Sequence, residues 1–188
     1  MSDLFSLASL PEEAVQLAFS GRSAIAGAFH SDPIVISNGV EILGLGVEED
    51  FIVILASPLA LAGFNRHYMI HMSNQGNQGH IPPDDARIVK FARRGSCGTA
   101  MFDPSLWSLS NKASMWAFKN ELEYALADHA LTFDTTQYLF CPTSNKLRAL
   151  YRRMARNFES GKLGVKFKLL YEPESENGNY CYARIESQ

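Results

Sequence analysis

The sequence has 188 residues, of which 46% are hydrophobic and 20% are charged, a composition typical of a globular chain rather than a disordered or fibrous one. Its length suits one domain, 1–188, with a sizeable hydrophobic core. No run of about 18 apolar residues occurs, and the first residues lack the basic start of a secretory signal. We therefore predict no contact with a membrane.

Three cysteines are spread along the chain: Cys97, Cys141 and Cys181. Their odd number and the lack of a CxxC pair indicate free thiols rather than a disulfide framework. We therefore expect a reducing compartment, the cytoplasm.

The charges are distributed unevenly, although the formal net charge is only −3. Residues 1–60 contain eight acidic residues and one base, Arg22, whereas residues 146–168 contain eight bases and one acid, Glu159. Such a basic block indicates either an anion-binding surface or the solvated face of a helix. The acidic first third leaves open a domain that binds or inhibits another protein.

The first predicted element is a helix over Leu10–Ala28. Pro11 is tolerated in a first helical turn, and Glu12 and Glu13 lie where the helix dipole favours acids. Gly21 ends or interrupts this helix.

A β-rich section follows, with apolar runs at Ile34–Ile36, Val40–Val47 and Phe51–Ala56. The residues Ser37-Asn38-Gly39 predict a turn between the first two runs. The last two runs are separated by the acidic residues 48–50, which predicts an antiparallel hairpin.

A second helix is predicted over Leu59–Met72, and it carries His67 and His71 four residues apart on one face. With His80 they could bind a metal ion, but Tyr68 occupies the place of the glutamate in a HExxH motif. We therefore favour a helix face followed by a loop over residues 73–83, and we predict no metal site.

A glycine-containing basic segment follows a predicted strand at Ala86–Ala92. Within it, Arg93, Arg94, Gly95 and Gly98 suit an anion-binding turn built from backbone N–H groups. Neither a Walker A pattern nor GxGxxG is present, so the segment does not by itself specify a nucleotide.

The last two-fifths of the chain has the clearest periodicity. Apolar residues spaced three and four apart predict a long helix over 111–131. The members of this stripe are Met115, Phe118, Leu122, Ala125, Leu126 and His129. We expect His129 to be a satisfied core residue rather than a metal ligand.

Four shorter elements complete the chain. They are a strand at Thr136–Cys141, a helix at Lys146–Phe158, and strands at Val165–Tyr171 and Tyr180–Ile185 that look like a hairpin. The element order predicts an α/β (α+β) fold in which a single central mixed sheet is flanked by helices.

The last two-fifths of the chain also contains a group of basic residues. Those that could contact phosphates are Arg148, Arg152, Arg153, Arg156, Lys166 and Lys168. Interleaved aromatic residues could stack on bases, so a non-enzymatic nucleic-acid- or protein-binding module is one hypothesis. The overall pI of about 5.9 is low for a dedicated nucleic-acid binder.

The run CPTSNKLRALYRRM, residues 141–154, resembles a segment of the GCN5-related N-acetyltransferase superfamily. In that family a strand ends in a small or polar residue and Asn, and the next helix carries a Leu-Tyr pair, as Leu150-Tyr151 does here. The order long helix, strand, helix, strand, strand also resembles the family's second half. Asn145 lies one residue closer to the tyrosine than usual, and the family's Gly-Phe after the tyrosine is missing.

The resemblance implies an acyl-coenzyme A-dependent N-acyltransferase, with acetyl-coenzyme A as one donor and an amine as acceptor. It implies that the donor lies where two central parallel strands splay apart and that Tyr151 protonates the departing thiolate. A phenol with a pKa of about 10 can give a proton to a thiolate with a pKa of about 8.5. The alternative is that Tyr151 only packs, with its hydroxyl facing solvent.

The resemblance also implies a pyrophosphate loop, Arg/Gln-x-x-Gly-x-Gly/Ala, at the N-terminus of the long helix. The nearest candidates are Arg93, Arg94, Gly95 and Gly98, with Asn145 as a further cofactor-binding residue. Their spacing differs from the family pattern, and the long helix begins more than ten residues later. The general base stays open between Glu41, Glu48, Glu49, Asp50 and a histidine.

Overall fold

The computed structural model describes residues 23–25, 28–30, 34–37, 39–46, 50–58, 82–93, 112–142, 144–171 and 180–185. These residues contain nine strands and two helices. The strands are β1 (Ser23–Ile25), β2 (Ala28–His30), β3 (Ile34–Ser37), β4 (Val40–Gly46), β5 (Asp50–Ala56), β6 (Arg87–Arg93), β7 (Gln137–Phe140), β8 (Phe167–Tyr171) and β9 (Tyr180–Arg184). The helices are α1 (Lys112–Phe133) and α2 (Asn145–Glu159).

The described strands belong to one mixed sheet. Their order is β1-β2-β4-β5-β6-β7-β9-β8, and β3 pairs with β4 outside this path. Strands β6 and β7 pair in parallel, whereas β1–β2, β2–β4, β3–β4, β7–β9 and β8–β9 pair antiparallel. The predicted α/β (α+β) class, a mixed sheet flanked by helices, is therefore confirmed.

Contacts divide the chain into two compact units. The first comprises residues 1–55 and 90–126, and the second comprises residues 56–89 and 127–188. Strand β6 and helix α1 each contribute residues to both units. The prediction of one domain over 1–188 stays a prediction.

In the first unit, β4 and β5 supply much of the described core. Along β4 every residue from Val40 to Leu45 is buried. Phe118 of α1 contacts Phe51 of β5 and Phe91 of β6 edge to face, with ring centroids 5.0 Å and 5.1 Å apart. Aromatic pairs of this geometry add about 0.5–1.5 kcal/mol beyond the area they bury. The predicted stripe of α1 therefore faces a core, as expected.

The turn predicted at Ser37-Asn38-Gly39 is confirmed. Strands β3 and β4 pair antiparallel on either side of it. Gly39 has φ 75°, a left-handed conformation that glycine adopts without the steric cost of a Cβ atom.

The helix predicted over Leu10–Ala28 is wrong over its last part. Residues Ser23–Ile25 and Ala28–His30 form β1 and β2, which pair with each other, and β2 continues to β4 through His30 and Leu45. Pairing with the sheet overrides the local helical pattern, as tertiary context often does. The rest of that predicted helix lies outside the described residues.

In the second unit, β6, β7 and β8 run in one direction and β9 runs against them, since β9 is antiparallel to both β7 and β8. The parallel register joins Arg87 to Tyr138 and Val89 to Phe140. Strand β7 ends at that point, whereas β6 continues to Arg93.

The second unit's core is a cluster of aromatic side chains on one face of the sheet. Tyr138 contacts His129 of α1 at 5.9 Å and Phe167 of β8 at 5.5 Å between ring centroids. Phe158 of α2 contacts Phe167 at 5.2 Å and Tyr182 of β9 at 5.5 Å. Alternate side chains of a strand share a face, so the end of α1 and helix α2 cover the same face.

The predicted elements of the last two-fifths are all present. Helix α1 extends slightly beyond the predicted 111–131, and α2 is one residue longer at each end than predicted. The hairpin of β8 and β9 is confirmed, with a register shift between Leu169 and Tyr171. At the end of α2, Gly161 has φ 69° and donates its N–H to Phe158 O at 3.3 Å, a common way to end a helix.

None of the described helices combines the length and hydrophobicity needed to cross a membrane. The predicted helix Leu59–Met72 and residues 73–81 of the predicted loop lie outside the described residues.

Candidate functional site

The candidate site is built around the connection from β7 to α2. Strand β7 ends at Phe140, and Pro142 follows, which cannot donate to a strand ladder. Ser144 has an extended backbone and accepts the N–H of Leu147 on its Oγ at 3.3 Å. A serine in this position satisfies one of the free N–H groups at a helix start, so Ser144 is the N-terminal cap of α2.

Tyr151 lies on the inner face of α2 and is 2% exposed. Its ring contacts Phe140 of β7 at 4.7 Å and Tyr180 of β9 at 5.6 Å between centroids. Helical side chains lean toward the helix N-terminus, which is the end that follows β7. The candidate residue is therefore held at the carboxyl end of β7 by contacts from two strands.

The Tyr151 hydroxyl is in a desolvated environment. Burial raises the pKa of Tyr151 well above its ordinary value, and the neighbouring Cys141 thiol and Tyr180 phenol raise it further. Desolvation is the largest cause. The packing that the alternative predicts for Tyr151 is present, since the residue as a whole is 2% exposed. At neutral pH the phenol is protonated and can donate a hydrogen bond.

A second tyrosine fixes α2 against the sheet. The hydroxyl of Tyr182 on β9 donates a hydrogen bond to the backbone carbonyl of Tyr151. The Tyr182 ring also contacts Phe140 at 5.3 Å and Phe158 at 5.5 Å between centroids. Sequence reasoning missed this residue, because the pairing of β9 with β7 is not readable from local spacing.

The residues predicted to bind a cofactor are only partly described. Asn145 is the first residue of α2 and is exposed. Arg93 is the last residue of β6 and is exposed. The remaining members of the predicted set, Arg94, Gly95 and Gly98, lie outside the described residues.

The basic block is divided between two surfaces. Arg152, Arg153 and Arg156 are exposed on the outer side of α2, and Arg148 is half-buried. Lys166 and Lys168 are also exposed. Their neighbour Phe167 contacts α2, so Lys168 points to the opposite face of the sheet.

Four aromatic residues are interleaved with these bases, and the side chain of Tyr171 lies outside the description. The other three, Tyr151, Phe158 and Phe167, are all buried and not available for stacking. The stacking role predicted for them in a nucleic-acid interface is therefore wrong in this structure.

A buried polar cluster lies at the other end of β7. The Nδ1 atom of His129 is 2.7 Å from the Tyr138 hydroxyl and 3.4 Å from Thr135 Oγ1. All three residues are fully buried, and the His129 ring stacks on Phe133 with centroids 4.7 Å apart. The prediction that His129 lies in the core is confirmed, and its Nδ1 atom has polar neighbours within hydrogen-bond distance.

The first unit holds a buried ion pair that sequence reasoning also missed. Lys119 Nζ donates to Glu123 Oε2 at 2.8 Å, and both side chains are 2% exposed. The Lys119 ammonium also lies 5.2 Å from the centroid of the Trp116 ring. The i,i+4 spacing was readable, but such pairs are usually exposed on helix surfaces, so nothing local indicated burial.

Most of the residues considered as a general base or as metal ligands lie outside the described residues. Glu41 on β4 is buried, at 3% exposure. Glu48, Glu49 and the histidines His67, His71 and His80 lie outside the described residues. Within the described ranges, no group of three or more His, Cys, Asp or Glu side chains could hold a metal ion.

Comparisons with known proteins give no relative. No family model matches the sequence, and neither the search of curated proteins nor the search of solved structures found a match.

Proposed function

We propose that this chain is an N-acyltransferase that moves an acyl group from a thioester to an amine. One observation carries the proposal: the buried Tyr151 lies on α2 at the carboxyl end of a strand that pairs in parallel with its neighbour. In the GCN5-related family that this segment resembles, the acyl donor lies where two central parallel strands splay apart. The element order from α1 to β9 and the strand order β6-β7-β9-β8 support the same reading.

The chemistry assigns one role to Tyr151. As the amine attacks the thioester carbonyl, a C–N bond forms, the C–S bond breaks, the nitrogen loses a proton to water and negative charge develops on the leaving sulfur. Burial raises the pKa of Tyr151, so complete proton transfer to a thiolate is less favourable than from an ordinary phenol. A fixed hydrogen bond from Tyr151 would instead stabilise the developing charge in a desolvated site.

Acyl-coenzyme A, for example acetyl-coenzyme A, is the donor that the resemblance implies. The acceptor amine is on a protein, a nucleic acid or a small molecule. Asn145 at the start of α2 and Arg93 are candidates for the cofactor, together with Arg94, Gly95 and Gly98. The free thiols of Cys141 and Cys181 suit the cytoplasm as the proposed location.

Ligand-induced stabilisation tests the proposal. The melting temperature would be measured with acetyl-coenzyme A and with acetyl-pantetheine, which carries the same thioester without the nucleotide. A ligand at 100 times its Kd adds about 2.7 kcal/mol to stability, so a clear rise in Tm is expected with a specific donor. Failure of every thioester to stabilise the chain or release thiol in the presence of amines would rule the proposal out.

The Tyr151→Phe variant tests the role of the hydroxyl. It keeps the ring contacts with Phe140 and Tyr180, so we expect a folded protein whose rate of thiol release falls by about 10²–10³-fold. Tyr124→Phe, at a half-buried tyrosine on α1, is the matched control and should retain activity. An undiminished rate in Tyr151→Phe would remove Tyr151 from the mechanism.

The second candidate function is a non-enzymatic nucleic-acid- or protein-binding module. The exposure of Arg152, Arg153 and Arg156 favours it. Oligonucleotide binding that weakens steeply with salt, without any effect of thioesters on Tm, would support this function over the first.

A further inference from the structure

We propose that the acyl donor is presented by an acidic carrier protein on a phosphopantetheine arm, and that this carrier docks on the outer surface of α2. The inference rests on the proposed function and names the partner of the same site.

The docking surface consists of four exposed bases, which we call the α2 basic surface: Lys146, Arg152, Arg153 and Arg156. Residues three, four and seven apart share one side of a helix, so these bases lie together. The opposite side of α2 is packed into the core through its buried residues, Leu150, Tyr151, Met154, Ala155 and Phe158. The basic side is therefore the side that α2 presents outward.

The charge of this surface points to an acidic partner. Between Asn145 and Glu159 the helix carries five bases, and its single acid is Glu159 itself, the last residue. A surface of one sign attracts a partner of the other sign and speeds their association, most strongly at low salt. The observation concerns the total charge and exposure of the helix, and it does not require that any base lack a neighbour.

The nucleotide half of coenzyme A would need a pyrophosphate loop, which places its glycines directly before the helix whose N-terminal N–H groups bind the phosphates. The spacing of Arg93, Arg94, Gly95 and Gly98 in the sequence differs from that of the family's loop. Residues 94–111 lie outside the described residues. A donor that carries pantetheine without the adenosine phosphates requires no such loop.

The α2 basic surface lies on the same helix as Tyr151. Arg152 follows Tyr151 in α2, so the carrier would dock on the outer side of the helix whose inner side holds Tyr151, the candidate hydrogen-bond donor. Lys146 extends the surface to the N-terminal end of α2, which follows β7 in the chain. The Tyr151 side chain leans toward this same end.

A protein partner fits the surface better than a nucleic acid. Single-stranded nucleic acid is held by aromatic stacking as well as charge, and Phe158 and Phe167 are buried. Lys168 points to the opposite face of the sheet from α2, so the bases do not form one continuous track for a phosphate backbone. A compact acidic protein needs only a local basic surface.

The test measures binding of a purified acyl carrier protein that is acidic, labelled with a fluorophore and loaded with a hexanoyl group. Fluorescence anisotropy would give its Kd for the full chain at two salt concentrations, and hexanoyl-coenzyme A and hexanoyl-pantetheine would be titrated in parallel. We expect carrier binding that weakens at high salt, and an increase in Kd of about ten-fold or more in Arg152→Glu/Arg156→Glu. Lys166→Glu/Lys168→Glu makes the same charge change away from α2 and should leave the Kd unchanged.

The outcomes separate the inference from the proposed function. Stabilisation by hexanoyl-coenzyme A without carrier binding would overturn the inference and leave the acyltransferase intact. Equal loss of carrier binding in both charge-reversal variants would also overturn it. Tighter binding of a single-stranded oligonucleotide at the same surface would replace the carrier with a nucleic acid. If none of the three thioesters (the hexanoyl carrier protein, hexanoyl-coenzyme A and hexanoyl-pantetheine) had an effect, the proposed function would be refuted instead. Arg152→Gln/Arg156→Gln gives the same comparison if charge reversal prevents folding.

Discussion

At the scale of single residues, Tyr151 combines burial with a polar group. Its ring packs between Phe140 and Tyr180, and its backbone carbonyl accepts the Tyr182 hydroxyl. The resemblance of the segment with Leu150-Tyr151 to the GCN5-related family singled this residue out in the sequence. Its desolvation depends on side chains of β7 and β9, which are separate elements of the sequence from α2.

Burial of this phenol makes the stability of the chain depend on pH. Because the pKa of Tyr151 is raised in the folded state, the unfolded chain loses the proton first, at about pH 10. The contribution to stability is complete below about pH 10 and is lost as the pH rises beyond it. Above about pH 10, we expect the free energy of unfolding of the wild type to fall with pH more steeply than that of Tyr151→Phe, by about 1 kcal/mol per pH unit.

Urea titrations between pH 8 and pH 11 would measure this difference. If Tyr151→Phe shows the same loss of stability with pH as the wild type, then burial does not control this phenol.

At the scale of elements, α2 is defined by its cap. The Ser144 hydroxyl accepts the N–H of Leu147, and removing such a cap typically costs about 1 kcal/mol. We expect Ser144→Ala to lower the free energy of unfolding by that amount and Ser144→Asp to preserve it, as measured by urea denaturation. Ser160→Ala, at the exposed other end of the helix, should change stability by less than about 0.5 kcal/mol. Equal effects at the two ends would contradict the capping role.

Helix α1 depends on a buried ion pair as well as on its apolar stripe. Lys119→Met would leave the Glu123 carboxylate buried without its cation, and breaking a buried pair costs about 3–5 kcal/mol. The double variant Lys119→Met/Glu123→Leu removes both charges and should cost less than the sum of the two single variants. A double-mutant cycle by urea denaturation would measure the coupling. Strictly additive effects would show that the pair contributes nothing specific.

At the scale of the whole molecule, three described elements contribute residues to both compact units: β5, β6 and α1. Unfolding one unit alone would require α1 to break between Leu126 and Ala127 and β6 to break between Val89 and Lys90. Breaking a helix in the middle forfeits its cooperative hydrogen bonds. We therefore expect the chain to unfold in a single transition.

A single-tryptophan variant can test this cooperativity. The chain has two tryptophans, so Trp107→Phe leaves Trp116 on α1 as the fluorescent reporter for the first unit. Its urea midpoint should coincide with that of far-UV circular dichroism, which reports both units. Separate midpoints would mean that the units unfold independently.

Local signals suffice for most of the elements of the last two-fifths. The stripe from Phe118 to His129 predicts α1 because helical periodicity is a short-range property. The residues from Pro142 to Asn145 predict the start of α2 for the same reason, since a proline and a capping serine act on their nearest neighbours. The same reasoning failed at Ser23–Ile25, where pairing with β2 prevails over a helical pattern.

Long-range pairing settles the properties on which the candidate site depends. Strand β9 inserts between β7 and β8, and this placement buries Tyr151, brings Tyr182 to its carbonyl and turns Lys168 away from α2. Spacing along the chain carries no information on these contacts, because they join residues that are distant in sequence and meet only when the sheet forms. The sequence thus identifies Tyr151 as a candidate, and the sheet determines its desolvated environment.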